Sequence, residues 1–551
     1  MKNENQTICP LCNDAVDKLV YRFHIDSERA IIEKIKNDHP TWSERDGLCS
    51  RCLDYYHTEI VMSQRIVPEV GPHFPIKNID DFIILPTGLR LDANPKYTGK
   101  NVTICFIDSG FYEHPDLIAS KNRIKLVLDV TKEDQPDEID QVSLWHGTMT
   151  SVVCAGDGYL SKGLYKGIAS DASLVLLKVQ GKDGKIPTAN IVKALDWVHK
   201  NHKQYDIRIV NLSLRADEAT SYKGNRVDEL AEQLISAGIN VVAAIGNDDN
   251  GIVYAPANSP NVIAVGGIDD NNRIDEGQKT LYHSTFGKTV DGFMKPELVA
   301  HAIWIAAPLL PYSSEQEEAK ILYELMDADN NTFSQLLQNN LASTKLDHSI
   351  GHDKSVEEQR NVIKKRIQQA KYISPHYAHV DGTSFAAPIV TAVIAQLLEI
   401  QPDLNPSQIR QLLFSSAKRL PGVDPIKQGY GAIQPRVAAL KILKRSYISP
   451  GQSSPSINWV QKTIEFSLHH DSAGQISIAG DFNNWAEDVL LMEPSYNGIW
   501  KIEIPLLSPG RYHYKFFVDS SSWMEDVCNP YREPDGYNGF NSILIVEPTL
   551  N

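Results

Sequence analysis

A serine set just inside a long apolar run is the first residue of this chain that could do chemistry. Asp381-Gly382-Thr383-Ser384 leads straight into Phe385 to Ile400, apolar and periodic enough for a buried helix. Ser384 then falls at a helix N-terminus, where free N–H groups and the positive end of the dipole could hold an oxyanion. Pro388 is placed in the first turn, where its missing N–H costs nothing. An ordinary serine N-cap would read the same way, so the decision rests on partners elsewhere. Asp108 ends the continuous apolar run Val102–Ile107, His146 opens a helical stretch predicted for Thr148–Ala155, and Asn247 follows Ala243-Ala244-Ile245-Gly246. Each alone would be a turn former or a cap. Together they supply acyl transfer: Ser384 attacks a carbonyl, His146 takes and returns the proton, and Asp108 fixes the imidazole tautomer and stabilises its cation. The Asn247 amide and the Ser384 N–H would hold the oxyanion.

A second chemistry lies at the other end of the chain. Cys9 and Cys12, then Cys49 and Cys52, form two Cys-x-x-Cys knuckles whose four sulfurs match the tetrahedral set of structural zinc. His24, His39 and His57 are possible substitute ligands; free thiols or a redox pair are the alternatives. Between the knuckles, Ser27–Asp38 reads as a helix with Ile31, Ile32 and Ile35 on one face. Zinc would let a module of about sixty residues fold where its core alone is marginal.

The elements that must position these groups follow from pattern. At 551 residues the chain is too long for one core. Strands at Val102–Ile107, Leu174–Val179, Ile207–Leu212, Asn240–Ile245 and Val262–Val265 alternate with helices at Ala189–His199 and Val227–Ala237. That alternation predicts an α/β fold, a parallel sheet with helices on both faces and active groups at the carboxyl ends of its strands. Residues 446–456 have a linker composition, and beyond them short period-two runs predict a β-sandwich. The expected divisions are a zinc-binding module over 1–60, a connector over 61–83, the α/β domain over 84–445, the linker, and the sandwich over 457–551. A net charge of −15 argues against a nucleic-acid binder. No run reads as a membrane span, and the start MKNENQTICPLC has no secretory core, so a cytoplasmic protein is expected.

The order Asp, His, Ser, with Asp108-Ser109-Gly110, His146-Gly147-Thr148 and Gly382-Thr383-Ser384-Phe385-Ala386-Ala387-Pro388, resembles the subtilisin-like serine peptidases. Lys96 to Val102, His114 to Leu117, Ile209 to Leu214 and Lys295 to Ala300 extend the likeness over about residues 84 to 445. The resemblance implies an endopeptidase acting on a protein or peptide laid in as an added strand. Ser213, Leu214 and Arg215 would line one side of the cleft, Ala244 to Gly246 its floor, and Gly184 to Thr188 the other edge. There are departures. Met149 replaces the family's second histidine, and Arg215 stands where glycine is usual, either narrowing the primary pocket, favouring an acidic side chain there or facing solvent. The stretch Gly158 to Gly163 lacks the Asn-rich calcium sequence, so calcium is not expected there. An insertion over 301–380 carries helix signals at Ser314–Asp327 and Ser355–Lys371; it would flank or cover the cleft, or form a peripheral hairpin.

Gly480-Asp481-Phe482-Asn483-Asn484-Trp485 and Tyr514 to Asp519 resemble the glycogen-binding modules of AMP-activated kinase β subunits and the early-set domains of branching enzymes. That likeness implies that Trp485 and Trp523 stack on glucose rings while Lys515 and Asn541 bond hydroxyls, glycogen or another α-glucan being the partner. Alternatively Trp485 is core and the sandwich binds protein. The whole then reads as a serine endopeptidase with a zinc module in front and a glucan-binding domain behind, or as a silent scaffold displaying the two modules.

Overall fold

The structure, a computed structural model, describes residues 7–21, 23, 25–60, 84–131, 141–249, 251–274, 279–346, 350, 354–444, 454–470, 472–495 and 498–547. The connector 61–83 and the possible ligand His24 lie outside the described residues.

Seven parallel strands make the central sheet, in the spatial order Leu298–His301, Ile263–Asp269, Asn240–Ala244, Ile207–Leu212, Thr103–Asp108, Ser173–Lys178, Ile124–Asp129. Thr280–Leu281 adds a short antiparallel strand at Ile263–Asp269. The Asp108 strand was expected to be buried on both faces, and it is. Ile104 and Phe106 enter the core built on Thr383–Ile400 and Gln141–Ala155, while Cys105 and Ile107 enter the core under Thr188–Tyr205 and Arg226–Ser236. From this strand the chain winds first to one side, through Ile124–Asp129 and Ser173–Lys178, and then to the other. The Asp108 end is therefore the topological switch point, where an open α/β sheet leaves a crevice.

Two sequence expectations about helices need correcting. The His146 helix runs over Gln141–Ala155, so His146 lies inside it rather than before it. The serine helix is Thr383–Ile400 with Gly382 as its cap, which puts Pro388 inside the helix and beyond the first turn. This helix is also long and apolar enough to cross a membrane, contrary to the reading that no such run exists. But 83% of it is buried within the fold, as a core helix requires.

The insertion is a hairpin with a helical tip. Ile305–Pro308 pairs with Tyr377–Val380, which runs directly into Asp381 and Ser384. Ser314–Asp327 and Val356–Gln369 form as the sequence predicts, and Asn330–Asn340 is a third helix that it did not reveal. Their core is their own, around Leu322, Phe333, Leu337 and Ile363. Glu318 ties it together by accepting both Arg366 guanidinium bonds at 2.8 Å and the Tyr372 hydroxyl at 2.9 Å. Ile305 and Ala307 pack into the core shared with Val152 and Val153, and Tyr377 donates to Asp116. The insertion thus braces the His146 helix and the short Pro115–Ile118 helix that follows the Asp108 strand.

The Cys-rich module stands far from that crevice. Its helix Ser50–Ile60 meets Asn94 through Thr58 at 3.0 Å and Tyr97 through Asp54 at 3.1 Å. Gln396 and Glu399, in the last turns of the serine helix, hold the same Asn94–Lys100 loop. At the helical rise Ser384 and Glu399 are about 22 Å apart. The module therefore docks at the end of the serine helix opposite Ser384.

At the other end, Ser456–Asn458, Thr463–His469, Ile499–Pro505 and Glu493–Pro494 form one antiparallel sheet, and Ile476–Gly480, Gly510–Val518, Phe540–Val546, Arg532–Pro534 and Ser522–Met524 the other. Phe466, Ile478, Tyr514 and Phe516 fill the space between them. Ser454 is buried and bonds Asp526, so the sandwich begins inside the stretch read as linker.

Candidate active site

Asp108 is 1% exposed at the end of its strand. Its Oδ1 accepts from Ser109 N at 2.7 Å and meets His146 Nδ1 at 2.7 Å. Thr150 donates to its Oδ2 at 3.1 Å. His146 and Thr150 are four residues apart on one helix, so both reach the same carboxylate. The chain packs this tightly because Gly147 has no side chain: a Cβ there would lie 2.3 Å from Gly110 O. Burial disfavours the His146 imidazolium, but the charge and hydrogen bond of Asp108 outweigh it and raise the group above the usual histidine range.

The imidazole points toward the serine helix. Its ring lies 6.0 Å from Phe385, the residue after Ser384, and Trp145 sets its indole edge-on at 5.2 Å. Ser384 is half-buried in the first turn, as expected of it. Asn247 Oδ1 accepts from both Thr383 N and Thr383 Oγ1 at 2.9 Å. Spending the oxygen there makes Nδ2 the donor end beside the serine turn. Gly246, at φ +107°, donates its N–H to Thr383 Oγ1 at 3.2 Å and makes the turn that presents Asn247. A buried carboxylate on an imidazole, beside a helix-terminal hydroxyl and a free amide, can activate the hydroxyl toward a carbonyl.

Ser213 and Ala244 are buried at the ends of neighbouring strands and Leu214 is half-buried. Ser213 Oγ donates to Ser384 O at 2.8 Å. Arg215 reaches over the mouth to Asp248 Oδ2 at 2.8 Å, with its guanidinium 4.6 Å from the Tyr254 ring. About half of each side chain in this ion pair stays open to solvent, so Arg215 is an exposed residue at the edge of the cleft. Thr188 bonds Asp217 at 2.7 Å, tying the opposite edge to this one. Met149 is buried in the main core. The Gly158–Gly163 loop is fastened by Leu160 N to Asp116 Oδ1 at 3.0 Å. Thr150, Trp145 and Asp248 were not singled out from sequence; the i, i+4 spacing of His146 and Thr150 was the one usable signal.

A model of the subtilase family matches residues 99–432, more than half of the chain. The chain belongs to the subtilase family. It is 28% identical over 345 residues to the serine protease AprX of Bacillus subtilis, across 61% of this chain and 65% of that one. A subtilisin-like protease of Pseudogymnoascus destructans is 29% identical over 197 residues, 35% of this chain and 43% of that one. The chain thus spans just under two thirds of AprX and less than half of the second relative. Among solved structures, fervidolysin from Fervidobacterium pennivorans aligns with 78% of this subtilase and 55% of its own chain, at 17% identity and a TM-score of 0.44. A model of carbohydrate-binding module 48, the isoamylase N-terminal domain, matches residues 455–532.

In that last domain the four residues implied by the resemblance, Trp485, Lys515, Trp523 and Asn541, line one cavity of about 860 Å³. Trp485 is half-buried rather than core; its Nε1 donates to Asp481 at 3.0 Å, and its ring stands 6.1 Å from that of Trp523. Lys515 is paired with Asp535.

The four cysteines also converge, with all ligand atoms within 4.8 Å of one another. Cys9 and Cys52 sulfurs are 3.9 Å apart, and those of Cys12 and Cys49 3.8 Å. An ion about 2.3 Å from each sulfur of a regular tetrahedron needs them about 3.8 Å apart, so the residues fit structural zinc. Backbone N–H groups of Cys49 and Cys52 point at sulfurs, at 3.3 and 3.4 Å, as ligand-supporting bonds would. His57 instead meets Glu28 at 3.2 Å, and among the described residues the group that could hold the ion contains no histidine.

Proposed function

We propose that this subtilase is a serine endopeptidase whose nucleophile is Ser384, with His146 as general base and acid and Asp108 as the group that orients it. The single observation that carries the reading is the 2.7 Å contact between His146 Nδ1 and a carboxylate buried at the sheet's switch point. Held by Nδ1, the imidazole keeps Nε2 as the acceptor for the Ser384 proton. Attack gives a tetrahedral intermediate whose oxyanion accepts from Asn247 Nδ2 and the Ser384 N–H. His146 then protonates the leaving amine, and water resolves the acyl-enzyme by the same steps in reverse. The substrate is an extended peptide between the Ser213–Arg215 and Gly184–Thr188 edges. Cleavage of quenched peptides by the full chain, lost in Ser384→Ala with the fold unchanged, supports this; equal turnover by both proteins defeats it. A chain that cleaves nothing yet binds glucan would be the scaffold instead.

The same proposal gives the sandwich an α-glucan to bind, so that proteolysis is localised to, or regulated by, glycogen-like polymers. Two half-exposed indoles beside planar polar side chains suit the apolar faces and rim hydroxyls of glucose. Glycogen in a native gel should retard the chain, and Trp485→Ala should abolish the retardation; no retardation of the unaltered chain sinks this part. Cys9, Cys12, Cys49 and Cys52 would hold zinc, whose contribution is to fold the module. None of the seven cysteines is in a disulfide, which suits a reducing compartment, and we place the protein in the cytoplasm.

A further inference from the structure

We propose that the glucan pocket is completed by the peptidase domain through Arg419, so that one bound chain of glucose touches both domains. The inference rests on the glucan-binding reading of the sandwich and adds a residue that the sandwich does not contain. Arg419 lines the same cavity as Trp485 and Trp523 but belongs to the stretch following the Pro406–Ser416 helix of the peptidase domain. Its guanidinium lies 5.5 Å over Phe540, its Nη2 pairs with Glu525, and its Nε points to Gly429 O at 3.5 Å. Neither polar contact uses Nη1, which stands at the Gly539 wall of the cavity. A guanidinium offers five donors in a fixed fork, so hydroxyls arriving there find N–H groups already oriented.

Arg419 is not on a loose strap. Lys418 N and O both pair with Ala432, at 2.9 and 2.8 Å, and Val299 N, in the edge strand of the central sheet, bonds Gly431 O at 3.0 Å. The two domains are also clamped beside the pocket. Arg532 of the sandwich is 3% exposed, with the Tyr430 ring 4.0 Å away and the Phe540 ring 4.5 Å away. Phe293 and Tyr531 pack with tilted rings 4.8 Å apart across the same junction. Phe540 therefore meets a pocket arginine from the peptidase domain and a locking arginine from its own. The pocket's cations are matched by acids, Lys515 by Asp535 and Arg419 by Glu525, which favours a neutral polyhydroxylated ligand over an anion.

The test uses the full chain in a Ser384→Ala background, which prevents self-digestion, with maltoheptaose as the probe. Calorimetry should show binding roughly tenfold weaker in Arg419→Ala, with partial recovery in Arg419→Lys. Hydrogen exchange should show maltoheptaose slowing the amides of 418–431, in the peptidase domain, as well as those of the sandwich. That second readout needs no Arg419 variant, so a substitution that loosens the domain junction does not blur the result. Unchanged affinity in Arg419→Ala, or protection confined to 454–547, overturns the bridging pocket. Failure of the unaltered chain to bind maltoheptaose removes the glucan reading itself, a separate outcome.

Discussion

The Ser213 hydroxyl donates to the Ser384 main-chain carbonyl at 2.8 Å. In an unbroken helix that carbonyl would accept from the N–H four residues on, but residue 388 is proline and has none. The serine turn is thus fastened to the end of the Ile207–Leu212 strand by a bond that the helix itself cannot make. A residue implied by resemblance to line the cleft turns out also to hold the backbone of the proposed nucleophile.

From this pair comes a double-mutant test. Ser213→Ala leaves a part-buried carbonyl without this partner and should cost about 1 kcal/mol of stability. In a Pro388→Ala background the restored N–H can satisfy Ser384 O, and the same Ser213→Ala change should cost much less. Denaturant unfolding of the four proteins checks it; additive losses would mean the bond is incidental.

On the proposed mechanism, the raised His146 group sets the acid limb of activity. The base must be neutral to accept the Ser384 proton, so turnover falls as pH drops through the folded His146 value. Asp108 favours the cation, which places that limb above the ordinary histidine value of about 6.5. Asp108→Asn should move the limb downward and cut kcat by roughly 10⁴-fold, the scale measured for trypsin and subtilisin orienting carboxylates. A pH–rate profile of kcat/KM in both proteins shows the shift or its absence.

Arg215, Asp248 and Tyr254 form a small cluster at the mouth of the cleft. Arg215→Gly should open it and raise kcat/KM by about tenfold for peptides with a large aromatic residue before the cut. Profiling a peptide library with both proteins measures this. An unchanged profile would place Arg215 outside the primary pocket.

Removal of zinc should separate fold from catalysis. Structural zinc contributes roughly 10–16 kcal/mol in small fingers at neutral pH, so Cys12→Ser or a strong chelator should unfold the module around Ile31, Ile35 and Trp42. With Ser384 about 22 Å of helix away from the loop on which that module docks, turnover of short peptides should persist. Metal analysis should find one zinc per chain before treatment. Peptide turnover lost in parallel with the metal would contradict the distance argument.

Much of this arrangement was legible because the strands of the central sheet are buried on both faces and read as unbroken apolar runs. Asp108 and Asn247 stand out as the polar residues that end such runs. Ser384 was found because Gly382 and the apolar run behind it mark a helix start. The start of the His146 helix was missed: Gln141 to Trp145 shows no strong apolar period of its own, and the reading began the helix only after His146-Gly147. Asn330–Asn340 was missed for a related reason, having Phe333 and Leu337 as its only buried apolar anchors in a stretch of Asn and Gln. Contacts between distant segments left no local trace. Ser213 with Pro388, Arg215 with Asp248, and Arg419 beside Trp485 become visible only once the chain is folded.

The central claim, that Ser384 is an activated nucleophile, is tested most directly by reacting the folded full chain with a fluorophosphonate and locating the adduct by mass spectrometry. The account predicts one adduct per chain, on Ser384, absent in His146→Ala and in denatured protein. No adduct on Ser384 in the folded chain, or an equal yield after denaturation, would contradict it.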